Sequence, residues 1–248
     1  MLATQMSWIE ITTPAPVLNT PHFNQVFGDS IPLSPLGHPL QFEFVALKHM
    51  QFKVLNKIWS NILQISWPQY SSSALYLDRR FCQDIARPNP LIHREFSTKT
   101  ILTHMESRLG TPYVWGGNWA QGIPEMLLYY PPTKPLNKRM QTLWTLEGLD
   151  CSGLLFEATH GATPRNTSHL LQFGRSLIPN EPLEPLDMIF YPGHVLFVRD
   201  QKTIIESKSP FGVRICPLNE RLAEISQEWG CQGDESSRFT IRRFIYPT

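Results

Sequence analysis

Between Leu40 and Phe81 the chain is written in short apolar runs, LQFEFVAL, QFKVLN, NILQIS and ALYLDRRFC, broken by polar or proline-containing stretches. QFKVLN alternates apolar and polar residues, the two-residue period of a half-buried strand. Several short strands at this spacing predict a small barrel or sandwich. Residues 15–85 therefore read as an all-β domain, preceded by an extension over residues 1–14. The segment ARPNPLIHRE has the composition of a connection, and residues 86–97 read as a linker.

Beyond the linker the period changes. TKTILTHMESRL, residues 98–109, places apolar residues at 101, 102, 105 and 109, which are helical offsets. Gly110 can end that helix and Pro112 prevents its resumption. CSGLLFEATHG predicts a second helix opening at Cys151 and stopping at Gly161, followed by a short one over 167–174. Strands are expected at 187–191, 194–200, 202–207, 212–215 and 238–245, with an amphipathic helix at 219–228. A helix that opens on a cysteine, followed by a run of antiparallel strands, is an α+β pattern, and residues 98–248 form the second domain. The 22 prolines cluster near 14–21, 32–39, 131–135 and 179–185. A proline donates nothing to a sheet ladder, so these stretches are expected to be extended connections or loops.

Composition narrows the function classes. Lys+Arg is 22 against Asp+Glu 21, a net charge of +1, which gives no pull toward nucleic acid or an anionic membrane. A hydrophobic content of 42% argues against disorder, and no apolar run reaches the roughly 18 residues of a spanning helix. MLATQMSWIEITTPAP has no basic residue and no long apolar stretch, a poor secretory signal. Four cysteines are too few for a disulfide scaffold. The expectation is a reduced, cytoplasmic protein, with a periplasmic or cell-wall location left open. The cysteines lie 69, 65 and 15 residues apart (82, 151, 216, 231) with no C-x-x-C, so no zinc or other cofactor is expected.

Cys151 lies in Leu149-Asp150-Cys151-Ser152-Gly153, where a helix begins. Helix N-termini carry partial positive charge and unpaired N–H groups, which favour a thiolate. The competing reading is a buried structural cysteine. A thiolate nucleophile needs an imidazole to take and return its proton. Among eight histidines, His194 opens the strand HVLFVRD just after Pro192-Gly193, at a sheet end that a helix N-terminus can meet. Glu206 closes the strand KTIIE across the tight Asp200-Gln201 turn. Pairing of the two strands returns it to His194, where a carboxylate would orient the imidazole and stabilise the imidazolium.

At this point the residues resemble the NlpC/P60 cysteine peptidases, which cleave peptidoglycan stem peptides. Gly110-Thr-Pro-Tyr113-Val-Trp115-Gly116-Gly117, Asp150-Cys151-Ser152-Gly153-Leu154, Thr163-Pro164-Arg165, Leu186-Asp187-Met-Ile-Phe190 and Gly193-His194-Val195 match the family's strings in order, over residues 98–216. The resemblance implies a papain-like catalytic domain with Cys151 as nucleophile and His194 as general base and acid. Glu206 falls where the family commonly has His, Asn or Gln. Tyr113 falls at a tyrosine that supports the oxyanion together with the Cys151 backbone N–H. Residues 118–148 replace a short loop, and either narrow the cleft or form a surface excursion. Leu186 stands where a glycine is usual.

More weakly, FKVLNKIWSNILQIS resembles the central strands of a bacterial SH3-like barrel. The two domains together resemble recycling endopeptidases that cut stem peptides with a free N-terminal L-Ala. That implies hydrolysis of the γ-D-Glu–diaminopimelate or γ-D-Glu–L-Lys amide. Asp150 would read the amino group, and Ser152, Arg165 and Trp115 would line the site. Two alternatives stay open: a thiol amidase or acyltransferase acting on a non-murein substrate, and a non-catalytic wall-binding module.

Overall fold

The computed structural model describes residues 7–70, 74–88, 96–178, 181–228 and 239–246. Contacts divide it into one unit of residues 1–92 with 114–148, and a second of 93–113 with 149–248. The first unit carries one antiparallel sheet built from β1 (Ser7–Ile11), β2 (Ala15–Leu18), β3 (Phe42–Ala46), β4 (Gln51–Lys57), β5 (Ile62–Ser66), β6 (Leu75–Asp78) and β7 (Cys82–Ile85). The strand order is β3-β2-β6-β5-β4-β1-β7.

Two expectations about this unit are corrected. The residues read as an extension contain β1, which pairs with both β4 and β7. Ile9 and Ile11 alternate inward and are fully buried, so a five-residue stretch has enough apolar surface to join the sheet. Likewise the proline-rich stretch at 14–21 contains β2. Pro16 sits opposite Val45 in the β2–β3 ladder. In an antiparallel strand a residue's N–H and C=O point to the same side. Those of Val45 point away from Pro16 to the side chain of Asn118, whose Oδ1 accepts from Val45 N–H and whose Nδ2 donates to Val45 C=O, both at 2.8 Å. The proline therefore removes no bond from the β2–β3 ladder.

Asn118 belongs to the stretch expected as a cleft wall or surface excursion, and the structure makes that stretch part of the first unit. Tyr130 and Trp144 are buried with Phe23 and Phe27, ring centroids 5.7–5.9 Å apart. The Tyr130 hydroxyl donates to the buried Asp78 carboxylate at 2.5 Å, and Trp144 Nε1 donates to the Tyr130 carbonyl at 2.8 Å. Lys134 and Lys138 are exposed.

The second unit is α+β. Its sheet consists of β8 (Arg175–Ser176), β9 (Met188–Tyr191), β10 (His194–Val198), β11 (Thr203–Lys208), β12 (Gly212–Pro217) and β13 (Thr240–Arg243), in the antiparallel order β8-β13-β9-β10-β11-β12. Its helices are α1 (Thr98–Glu106), α2 (Cys151–Ala158) and α3 (Leu218–Glu228). Ser97 caps α1 by accepting from Thr100 N–H at 3.0 Å. The helix expected over 167–174 is a single turn, Thr167–Leu170. Every residue of α2 is buried; it packs against α1 and against β10 and β11. Glu157 in its last turn is held by Arg108 at 2.7 Å and His104 at 3.2 Å. Leu218 and Ile225 of α3 cover Ile189, Leu196, Val198 and Ile204 on one face of the sheet. Among the described residues no helix is long and apolar enough to cross a membrane.

Asn118→Ala should strip Val45 of both backbone partners inside a dry region. Each orphaned group costs about 1–3 kcal/mol, so the loss should be about 2–6 kcal/mol. Urea unfolding of the full chain checks this; an unchanged midpoint would remove Asn118 from the account of the sheet edge.

Candidate active site

Helix α2 is started by Asp150. Its backbone is extended (φ −87°, ψ −177°) and its Oδ1 accepts from Gly153 N–H at 2.6 Å, satisfying one of the orphan donors of the first turn. The same carboxylate accepts from Ser152 Oγ at 3.1 Å. Arg165 grips it from both sides, Nη1 to Oδ1 at 3.1 Å and Nη2 to Oδ2 at 2.6 Å, and Nη1 also reaches Ser152 Oγ at 3.0 Å. A bidentate arginine fixes a carboxylate in plane as well as in charge. Asp150, Ser152 and Arg165 thus form one closed, buried network that sets where Cys151 begins the helix. Arg165 is only 2% exposed, while the Asp150 side chain keeps 10% of its surface accessible.

His194 is positioned by a two-residue turn. Tyr191 pairs with His194 across Pro192-Gly193, and Gly193 has φ +77°. Proline followed by a positive-φ glycine is the type II turn. No atom lies within 4 Å of where a Gly193 Cβ would stand, so the backbone angle, not crowding, requires the glycine. The pairs Phe197–Ile205 and Val198–Ile204 fix the register of β10 on β11. Side chains alternate with period two, which puts His194 and Glu206 on the same face.

Their side chains meet: His194 Nε2 lies 2.9 Å from Glu206 Oε2. Cys151 is the other group that acts on the imidazole, its hydrogen bonding and charge helping to lift the ring's pKa. Cys151 is buried, and its sulfur lies 3.5 Å from Thr167 Oγ1. The structure thus brings Cys151, His194 and Glu206 together.

Glu206 is fully buried and is not held by His194 alone. Its Oε1 accepts from Arg214 Nε at 3.0 Å and Nη2 at 2.6 Å, and from Arg221 Nε at 2.9 Å. Burial works to raise the Glu206 pKa, but the hydrogen bond and charge of His194, with Arg214 and Arg221, outweigh it and bring it down to about 2. For His194, burial pulls the pKa down, while hydrogen bonds to Cys151 and Glu206 and their charges lift it to about 9. Arg221 also donates to the Tyr191 hydroxyl at 2.9 Å, and the Tyr191 ring lies 4.9 Å from the imidazole.

Tyr113 is tied beside the start of α2 by a parallel bridge to Leu149. Burial, then the charges of Asp150 and Cys151, push its phenol pKa up, so it remains a hydrogen-bond donor at neutral pH. Trp115 belongs to the first unit, where it stacks on His38 at 4.5 Å with the rings 8° from parallel. Sequence reasoning missed Arg214, Arg221, Tyr191 and Thr167. Arg214 carried a signal: it pairs with Glu206 across the β11–β12 hairpin. Arg221 is buried on the same face of α3 as Leu218 and Ile225, three and seven residues along from the first, so an arginine on an apolar face was its signal. Among the described residues no group of three His, Cys, Asp or Glu is placed to hold a metal ion.

No family model and no curated protein matches the chain. Among solved structures, an NlpC/P60 family protein from Bacillus cereus is similar at 18% identity and a TM-score of 0.41, over 99% of this chain. This chain spans 65% of that protein's length. RipD from Mycobacterium tuberculosis, described as a non-catalytic NlpC/P60 domain protein adapted to peptidoglycan binding, is similar at 18% identity and a TM-score of 0.39, over 61% of this chain and 100% of that one. NlpC1 from Trichomonas vaginalis is similar at 14% identity and a TM-score of 0.38, over 96% of this chain and 69% of that one.

The depressed Glu206 pKa has a signed consequence for stability. A carboxylate whose folded pKa lies below its unfolded value of about 4.3 stabilises the fold above that value and loses the contribution as pH falls toward 2. A drop from 4.5 to about 2 corresponds to about 3 kcal/mol. Glu206→Gln should be less stable than the wild type at pH 7 by about 3 kcal/mol, and the gap should close as the pH falls from 4.5 toward 2. Denaturant unfolding across that window measures it; a gap that stays constant with pH would mean the carboxylate is not charged in the native state.

Proposed function

We propose that the second unit is a cysteine endopeptidase of the NlpC/P60 type, hydrolysing the γ-D-Glu–diaminopimelate or γ-D-Glu–L-Lys amide of peptidoglycan stem peptides. The observation that carries the reading is the contact chain Cys151–His194–Glu206, with the sulfur at the first residue of a buried helix and the carboxylate on the far nitrogen of the imidazole. That arrangement supplies a nucleophile, a proton carrier and an orienting anion, the requirements of covalent acyl transfer. The ordered motifs from Tyr113 to His194 supply the substrate class.

In this reading His194 takes the thiol proton and the Cys151 thiolate attacks the amide carbonyl carbon, forming the C–S bond. Negative charge develops on the carbonyl oxygen, toward the Cys151 N–H at the helix start and the Tyr113 hydroxyl. The His194 imidazolium gives its proton to the leaving nitrogen as the C–N bond breaks. Water, deprotonated by His194, then cleaves the thioester and regenerates the thiol. Glu206 stays ionised throughout and keeps Nε2 protonated, so that Nδ1 alone carries protons to and from sulfur and substrate. In this reading a free N-terminal L-Ala would be read by Asp150, whose carboxylate is held in place by Gly153, Ser152 and Arg165.

The test is mass spectrometry of L-Ala-γ-D-Glu-diaminopimelate incubated with the wild type and with Cys151→Ala. Free diaminopimelate should appear with the wild type alone. Release by neither protein, on this peptide and on intact stem peptides, would end the peptidase reading, whereas a new ester or amide product would identify a transferase. Acetylating the peptide N-terminus should leave release largely intact if Asp150 does not read the amine. Tyr113→Phe should lower kcat about 100-fold, as loss of an oxyanion donor does; an unchanged kcat would leave the ring a packing role only.

A further inference from the structure

The two oxygens of Glu206 are divided between two tasks. Oε2 faces His194 at 2.9 Å and takes only a longer contact from Arg221 Nη2 at 3.4 Å, while Oε1 receives three guanidinium N–H groups from Arg214 and Arg221. Neutralising one buried carboxylate needs a single cation, and His194 supplies one when protonated. Two arginines besides are more than burial demands. Arg221 is itself 1% exposed and comes from α3, an element that gives the site no reacting group.

We propose that Arg214 and Arg221 are positioning residues that act through Glu206 to set how readily His194 gives up its proton, an inference that rests on the peptidase reading above. A lone buried carboxylate would hold an imidazolium strongly, which favours taking the thiol proton but opposes handing it to the leaving amine. A general acid–base works best with its acidity near the ambient pH. Two guanidiniums on Oε1 draw off part of the carboxylate's field and repel the imidazolium, while keeping the carboxylate ionised and its Oε2 aimed at Nε2.

The geometry of each arginine suits that task. Arg221 is anchored at three points: Nε on Glu206, Nη2 on Tyr191 and Nη1 on Glu224 at 3.2 Å. A lysine has one nitrogen and cannot reproduce this fork. Arg214 lies with its guanidinium 4.3 Å from the Phe211 ring centroid. The other charged groups around the imidazole are Cys151 and, behind the Tyr191 ring at 6.0 Å, Lys208. Asp150 and Arg165 beside Cys151 pair with each other.

The test uses Arg214→Met, Arg214→Lys and Arg221→Met in the full chain. The His194 ring is followed by NMR through a pH titration, and kcat, KM and the pH profile are measured on the stem tripeptide. Arg214→Met should move the His194 ionisation and the alkaline limb of kcat upward by about half a unit or more, because a like charge has been removed from its surroundings. It should lower kcat several-fold with KM held within about twofold, by weakening the imidazolium as an acid. Arg214→Lys should recover most of both, since it restores the charge. Arg221→Met should act in the same direction.

If the methionine variants lower only the unfolding temperature and leave the titration and kcat where they were, the arginines are merely structural and the proposal is overturned. Arg214 is partly exposed, so its variants keep the test alive if Arg221→Met does not fold. The titration needs no substrate. A shifted ionisation in a protein that cleaves no stem peptide would therefore sink the peptidase reading while leaving the tuning of His194 in place.

Discussion

The second unit depends on a carboxylate that has been taken out of water. Burying an ion costs several kcal/mol even after relaxation, and only well-placed opposite charges offset it. Glu206 obtains them from three elements: His194 at the start of β10, Arg214 on β12 and Arg221 on α3. The strand register and the seating of α3 are therefore coupled to a single charge. A one-residue slip of β12 on β11 would turn Arg214 to the opposite face, and α3 docked without Arg221 inward would lose its bonds to Glu206 and to the Tyr191 hydroxyl. The apolar packing of Leu218 and Ile225 says that α3 covers the sheet; the ion cluster says in which rotation it does so.

A second buried carboxylate does the corresponding work at the start of α2. Asp150 is at once the cap of α2 and the partner of Arg165, so the helix start is fixed by charge-assisted bonds rather than by propensity. A hydrogen bond between sulfur and an imidazole is soft and weakly directional, and it cannot by itself hold the two reacting groups in line. The alignment comes from outside: one arginine-clamped carboxylate sets the position of Cys151 and another sets the ring plane of His194.

The legible parts of this site were those encoded locally. A cysteine opening an apolar helix, a histidine after Pro-Gly and a glutamate one strand on are all set by short-range turn and helix chemistry. The strands from 187 onward and α3 emerged close to their expected limits for the same reason. What could not be read was set by distant partners. Pro16 marked a loop until Val45 was seen to bond in the other direction, and that depends on Asn118, more than 70 residues away. Arg221 stands on the apolar face of α3, and only the distant Glu206 accounts for a charge there. Ser7–Ile11 is too short for its alternation to be persuasive alone. Leu186, where a glycine was expected, adopts φ +71°, a left-handed backbone that costs a β-carbon-bearing residue about 1–2 kcal/mol; its buried side chain is the compensation that the turn alone did not show.

Residues 114–148 show how a unit boundary can hide inside a motif. The chain leaves the second unit after Tyr113 and returns at Leu149, and those two residues are bridged, with Leu149 N–H donating to the Pro112 carbonyl at 3.0 Å. On the first unit's side the neck is equally tight: a Cβ on Gly117 would stand 2.5 Å from the Gly148 carbonyl oxygen. Only glycine lets the outgoing and returning strands lie so close. The entropy of closing a loop grows slowly with its length, and here the closure is made by backbone bonds at the neck whatever the excursion contains. The excursion buries Tyr130 and Trp144 in the first unit. The neck places Tyr113 against Leu149, two residues from Cys151. The Tyr-x-Trp-Gly-Gly string thus spans the unit boundary, with the tyrosine in one unit and the close-packed glycine in the other.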